Sequence, residues 1–253
     1  MSAQTRTSAL IGAATPWLKS VVDLIYPRNC LFCSEPLAET ERGVICAACL
    51  GTVKFIEPPF CCRCALPFAG ATTENFVCGY CKDLEFHFSR AVAACRGDGV
   101  VRESIHRFKY NREMYYGPHL AEWLANAAKQ WIDWNQVDAI VSVPLHPRKK
   151  RAREFNQAEY LAVALRRVFQ VPVLDRNLRR VKETVTQTSL HAKERTANLR
   201  DAFATRDAQV LAGKRLVLVD DVFTTGATMD SCAKVLLKAG AEDVIALAVA
   251  RGV

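Results

Sequence analysis

The chain has 253 residues, half of them apolar, with 34 Lys and Arg against 26 Asp and Glu and a formal charge of +8. That length and apolar share exclude a disordered chain and suit one main domain plus a small one. The positive balance points to an anionic partner, either nucleic acid or a small polyphosphate.

No apolar run approaches the roughly 20 residues needed to cross a bilayer, and the run at 9–14 is too short and weakly flanked for a secretion signal. A cytoplasmic protein is therefore expected. Trp17, Leu18, Val21, Val22 and Ile25 fall near helical spacing, which predicts a short amphipathic helix over 16–26, within an N-terminal tail 1–26.

Nine of the eleven cysteines precede residue 82, and eight form Cys-x-x-Cys pairs: Cys30/Cys33, Cys46/Cys49, Cys61/Cys64 and Cys78/Cys81. Two thiolates on one tight turn supply half of a tetrahedral ligand set, so the four pairs predict two structural Zn²⁺ ions. The run Cys-Leu-Phe-Cys-Ser-Glu-Pro at 30–36 parallels Cys-Cys-Arg-Cys-Ala-Leu-Pro at 61–67, and each is followed by a second pair. Gaps of twelve and thirteen residues inside the copies favour sequential ligation, one ion per copy, over a cross-braced arrangement. A disulfide framework does not fit the absence of a secretion signal. Cys62, Cys95 and Cys232 fall outside the pattern and read as buried or spare thiols. A double zinc ribbon is thus expected over 27–86, with metal substituting for a core that so few residues could barely build.

From residue 87 the pattern becomes α/β, and a second domain is expected over 87–253. A strand at 91–96, helices at 100–110 and 118–132, and a buried strand at 139–143 lead to the basic run Pro-Leu-His-Pro-Arg-Lys-Lys-Arg-Ala-Arg at 144–153. Arg148, Lys149, Arg151 and Arg153 would lie at the carboxyl edge of the sheet, where paired guanidinium hydrogen bonds suit a diphosphate. His146 is expected to cap or orient that loop. A helix at 156–169, a strand at 171–174, a strand at 216–219, a helix at 228–239 and a strand at 244–249 complete an alternation. It implies a mostly parallel sheet with helices on both faces.

The segment 179–200 has little apolar periodicity. It reads as a basic lid in which Arg179, Arg180, Lys193, Arg195 and Arg200 close over a polyanion and exclude water. From 146 to 200 there are fourteen Lys and Arg against five Asp and Glu, a surplus of nine that exceeds the whole chain's.

The run Leu-Val-Leu-Val-Asp-Asp-Val-Phe-Thr-Thr-Gly-Ala-Thr at 216–228 carries the most chemistry. Four apolar residues read as a buried parallel strand, and a Thr/Gly loop then opens a helix. Backbone amides, the hydroxyls of Thr224, Thr225 and Thr228, and the helix N-terminus together make a phosphate cradle. A side chain at Gly226 is expected to fill the space the phosphate needs. Asp220 and Asp221 would repel phosphate, and suit sugar hydroxyls or a hydrated Mg²⁺ instead. No Gly-Lys-Ser/Thr follows, which excludes a Walker loop.

Taken with Leu-Ile-Tyr-Pro-Arg-Asn-Cys at 24–30, Ile-His-Arg-Phe-Lys-Tyr at 105–110, Val-Pro-Leu-His-Pro at 143–147, Phe-Asn-Gln-Ala at 155–158, and Gln187 with Arg195 and Asn198, these motifs resemble the ComF family. That family combines a double zinc ribbon with a type I phosphoribosyltransferase fold. The resemblance implies Mg²⁺-assisted displacement of diphosphate from C1 of 5-phosphoribosyl 1-diphosphate (PRPP) by a nitrogen nucleophile of unknown identity. It implies that Asp220 and Asp221 hold the ribose hydroxyls and act in catalysis. Thr224, Thr225, Gly226, Ala227 and Thr228 would hold the 5-phosphate. The loop from Leu145 and His146 to Arg148, with Arg153, would hold the diphosphate, and Lys109 would be a second diphosphate contact. An association with DNA uptake is implied as well. The competing class is a PRPP- or nucleotide-sensing protein that binds single-stranded DNA or a DNA-processing partner. One departure is Arg153-Glu154-Phe155, where the family usually has Arg-Gly-Phe.

Overall fold

The computed structural model describes residues 28–38, 41, 43–71, 76–110, 113–148, 151, 155–174, 176–182 and 201–252. They fall into two compact units divided between Thr52 and Val53. The helix expected at 16–26 lies outside the described residues.

The first unit holds Cys30, Cys33, Cys46 and Cys49, and among its described residues carries the short helix α1 (Ala47–Leu50). The second ribbon belongs to the larger unit and carries α2 (Gly79–Lys82). The sequence repeat is also a backbone repeat. Cys30 N donates to Glu35 O at 2.8 Å and Cys61 N to Leu66 O at 2.9 Å; Ser34 N donates to Cys30 O at 2.9 Å and Ala65 N to Cys61 O at 2.8 Å. Ser34 and Ala65 share a left-handed backbone, with φ of 63° and 55°.

In the larger unit the strands are β1 (Arg90–Arg96), β2 (Ala139–Ser142), β3 (Leu178–Arg180), β4 (Phe203–Thr205), β5 (Arg215–Phe223) and β6 (Asp243–Arg251). The main sheet has the order β1-β6-β5-β2, all parallel. Leu216, Val217, Leu218 and Val219 are all buried, as expected for a central strand covered on both faces. The strand expected at 171–174 reduces to one parallel bridge between Ile140 and Val173. Pro172 has no amide to donate, so a ladder cannot extend through it. The pairing of β3 with β4 is antiparallel and was not anticipated, since both lie around the segment read as irregular.

Among the described residues the larger unit's longer helices are α3 (Gly99–Tyr110), α4 (Gly117–Trp131), α5 (Gln157–Phe169) and α6 (Ala227–Lys238). Buried Leu120, Leu124, Leu161 and Leu165 form the stripe that packs α4 and α5 against the sheet and each other. Phe108 joins α3 to the same layer, with its ring 5.1 Å from Phe155 and 5.3 Å from Tyr160. Met229, Cys232, Ala233 and Leu236 of α6 are buried in the core that contains Leu216, Leu218 and Ala246.

Strand order dictates where a ligand belongs. From β2 the chain passes through α5 to the outer bridge at Val173, whereas from β5 it passes through α6 to β6 in the opposite direction. Right-handed crossovers then place α5 and α6 on opposite faces and open a crevice between the carboxyl ends of β2 and β5.

Candidate functional site

At that crevice β5 outruns its neighbour. Ser142 pairs with Val219, while Asp220, Val222 and Phe223 continue pairing with Ala248, Ala250 and Arg251 of β6. The acidic pair therefore lies inside a strand with its β2 side open. Adjacent strand residues point to opposite faces, so the two carboxylates diverge. Asp221 faces the α3 layer, where its Oδ1 lies 2.8 Å from Lys109 Nζ. Asp220 shares the parity of Leu216 and Leu218 and sits near Arg180 and Cys232, with its Oδ1 accepting the Asp221 amide at 2.8 Å.

Burial pushes the Asp220 carboxyl up to about 7 and the neighbouring Asp221 adds to this, while Lys109, the Asp221 amide and Arg180 oppose it. The folded value lies above the ordinary 3.8, so this group's stabilising contribution is complete below pH 3.8 and is lost as pH rises through about 7. Asp220→Asn, which cannot ionise, should match the parent's urea midpoint at pH 4 and exceed it increasingly up to pH 8. Equal midpoints throughout would mean that the folded Asp220 titrates normally.

Beyond Phe223 the loop turns through Gly226, whose φ is 81°, into α6. Thr224 and Thr225 are exposed. Among the described residues, the amides of Thr225, Gly226 and Thr228 make no hydrogen bond within the protein; the Ala227 amide has only a 3.4 Å contact to Thr225 Oγ1. Free amides at a helix N-terminus form a ready anion site. The reason for glycine differs from the sequence expectation. A Cβ at 226 would meet Phe223 Cζ at 2.6 Å and Phe86 Cε1 at 3.1 Å, so a side chain there strikes an aromatic floor as well as straining the backbone.

The β2 side of the crevice is anchored by Asn156, which sequence reading did not single out as a clamp. Its Nδ2 donates to Val143 O at 3.0 Å and its Oδ1 accepts from Ala158 N at 3.1 Å, tying the strand end to the start of α5. His146 Nδ1 accepts the Arg148 amide at 3.4 Å, a loop-orienting contact. At the first residue of α5, buried Gln157 keeps Nε2 without a partner among the described residues. A cleft of about 910 Å³ opens beside the 144–147 loop, with Leu145 and His146 in its lining. Five arginines, Arg151, Arg176, Arg179, Arg180 and Arg206, line it against one acid, Glu159. Arg176 and Arg206 were missed because they stand apart in sequence and meet only through the β3–β4 pairing.

Arg179 and Arg180, expected in an irregular lid, lie in β3. Arg180 stacks 5.4 Å over the Phe203 ring, and burial lowers its guanidinium pKa. Lys149, Arg153, Lys193, Arg195 and Arg200 lie outside the described residues.

The cysteines assemble as two sequential clusters, Cys30/Cys33/Cys46/Cys49 and Cys61/Cys64/Cys78/Cys81, with the sulfurs of each within 4.8 Å of one another. Cys33–Cys46 and Cys64–Cys78 sulfur separations are 3.6 and 3.7 Å. A tetrahedron with Zn–S of about 2.3 Å has edges near 3.8 Å, so the geometry fits zinc. Charge argues the same way. Four thiolates together require a cation.

Comparison with known proteins agrees with this architecture. A double zinc ribbon domain model matches residues 21–84, and a phosphoribosyl transferase domain model matches 155–252. Competence protein F of Haemophilus influenzae is 31% identical over 229 residues, covering 88% of this chain and 96% of that protein. The chain belongs to the ComF family. DNA utilization protein YhgH of Escherichia coli is another relative, 32% identical over 87% of this chain and 96% of its own length. Among solved structures, adenine phosphoribosyltransferase from Thermoanaerobacter pseudethanolicus is a distant likeness, at 18% identity and a TM-score of 0.34 over 55% of this chain and 83% of that one. This ComF-family chain thus joins a two-site zinc ribbon to a phosphoribosyltransferase-type sheet. No helix among the described residues is long and apolar enough to cross a membrane.

Proposed function

We propose that this ComF-family protein is a phosphoribosyltransferase that takes Mg²⁺-PRPP as donor. The observation that carries the reading is the union on one strand end of two diverging carboxylates and a loop of free amides at a helix N-terminus. The loop would take the 5-phosphate, and the carboxylates the ribose hydroxyls. The arginine-lined cleft beside Leu145 and His146 would take the diphosphate, with Arg180 common to that cleft and the surroundings of Asp220. Mg²⁺ bound with the substrate would supply charge neutralisation for the departing diphosphate. In the transfer, a nitrogen lone pair forms the N–C1 bond while the C1–O bond breaks. Diphosphate leaves with the electron pair, and the nitrogen loses a proton to solvent or to diphosphate. Lys109 pairs with Asp221 at 2.8 Å, which orients that carboxylate beside the open end of β5.

A test is to incubate the protein with Mg²⁺-PRPP and pooled nucleobases and amines, and to measure diphosphate release. Acceptor-dependent release is expected, and it should disappear in the Asp220→Asn/Asp221→Asn double variant. A second reading, a PRPP-responsive DNA-handling protein, draws on relatives whose names refer to competence and DNA utilization. It predicts PRPP binding without acceptor-dependent release, and single-stranded DNA affinity that falls steeply with salt and shifts with PRPP.

A further inference from the structure

Arg251 ends β6 and sends its guanidinium in two directions. Its Nε donates to the carbonyl of Cys64 at 2.9 Å, and its Nη1 donates to the carbonyl of Phe223 at 3.3 Å and to that of Gly252. The same guanidinium lies 5.3 Å over the Phe223 ring. Cys64 is a ligand of the second four-cysteine site, and Phe223 is the last residue of β5 before the 224–228 loop. One side chain thus spans a metal-binding turn and the root of the anion loop, both within the larger unit.

Two more contacts run in parallel. Phe86 and Phe88, which follow the second ribbon, stack at 4.6 Å and meet the Phe223 ring edge-on at 6.5 and 5.8 Å. This is the floor on which Gly226 rests. Between them His87 donates its amide to Asp230 Oδ1 at 2.6 Å, and its Nδ1 lies 3.0 Å from the same oxygen. Asp230 in turn donates its amide to Gly226 O at 2.8 Å in the first turn of α6. Cys61, Cys64, Cys78 and Cys81 share one apolar core with β5 and α6.

We propose that Arg251 is a positioning residue through which the second four-cysteine site holds the 224–228 loop in its anion-accepting shape, so that affinity for phosphate depends on metal at that site. The physical reason is preorganisation. Amides that must converge on one anion bind weakly if the loop first has to be ordered. A metal-fixed turn gives Arg251 a rigid anchor at the Cys64 carbonyl, and Arg251 then fixes both the carbonyl and the ring of Phe223. The phosphate clause rests on the reading of the loop under Proposed function; the ordering of the loop does not.

The experiment uses the full zinc-loaded chain, with hydrogen–deuterium exchange of the 223–230 peptide and calorimetric titration with Mg²⁺-PRPP. Arg251→Ala should raise exchange in that peptide and weaken Mg²⁺-PRPP by about tenfold or more, as small misplacements from remote changes do. Arg251→Lys, which retains one charged donor, should fall between. Arg215→Ala is the matched control, because it removes the 2.7 Å ion pair to Glu242 at the far end of β5. It should leave loop exchange and affinity unchanged. Chelating zinc, at a temperature where near-ultraviolet circular dichroism shows the larger unit still folded, should reproduce the exchange increase in the parent and add little in the Arg251→Ala background.

Parental exchange of 223–230 in Arg251→Ala would overturn the proposal, as would an equal effect of chelation in both backgrounds. Should Arg251→Ala not fold, parental exchange in Arg251→Lys overturns it instead. If the parent does not bind Mg²⁺-PRPP but Arg251→Ala still raises loop exchange, the transferase reading fails and the positioning role stands.

Discussion

Protein carrying Asn at both 220 and 221 should lose at least a hundredfold in Mg²⁺-PRPP affinity while remaining folded. The carboxylates face opposite sides of β5, so each would meet a different part of the sugar and neither can replace the other. Asn keeps the shape and one acceptor oxygen, but it puts an NH₂ donor where a hydroxyl proton must be received. A hydrogen bond to a charged group contributes about 1.5–3 kcal/mol, so two independent losses amount to about 3–6 kcal/mol. At about 1.4 kcal/mol per decade this is roughly a hundredfold to ten-thousandfold. The stability changes oppose one another. Asp220→Asn relieves a carboxyl that burial disfavours as an anion, whereas Asp221→Asn leaves the partly buried Lys109 ammonium without its counter-ion. Calorimetric titration and urea unfolding of the two single variants and the double variant separate these effects. Unchanged affinity in the double variant would remove the basis for placing ribose on β5.

Why some of this was legible in the chain and some was not follows from the range of the interactions. The strands and helices of the main sheet are written in local periodicity, and the observed α3, α4, α5 and α6 start within a residue of the predicted ones. The cysteine pairs likewise state their chemistry in spacing alone, and sequential ligation followed from gap lengths. The strand end of β5 was placed too early. Asp220, Val222 and Phe223 are paired with β6, a partner that lies beyond the loop and the whole of α6. That long-range pairing turns two neighbouring aspartates into groups on opposite faces, which no local pattern reveals. The outer strand failed for a local reason that was visible, since Pro172 removes the donor a ladder needs. Arg251 could not be recognised at all from the sequence. Its meaning lies in two carbonyls, at Cys64 and Phe223, and backbone acceptors carry no residue signature.

The largest effect on stability is expected from the second four-cysteine site. Cys61, Cys64, Cys78 and Cys81 are all nearly inaccessible, whereas Cys33 of the first site is exposed. The second set is also part of the core that buries Leu216, Leu218 and Leu236, so its turns are walls of the transferase-type fold and not an appendage. Serine at 78 removes one thiolate ligand and leaves three buried sulfurs. Structural zinc sites of this kind carry about 10–16 kcal/mol of binding free energy in isolated ribbons. An entire domain is typically stable by only about 5–15 kcal/mol. Cys78→Ser should therefore reduce bound zinc from two ions per chain to one or fewer, and abolish the cooperative melting of the larger unit or depress its midpoint severely. Cys62→Ser is the internal comparison. It sits beside Cys61 but outside both clusters, so zinc content and melting should match the parent. Elemental analysis together with near-ultraviolet circular dichroism during heating reads both quantities. A Cys78→Ser protein that keeps two zinc ions and the parental melting midpoint would show that the second cluster is not the metal site on which this fold depends.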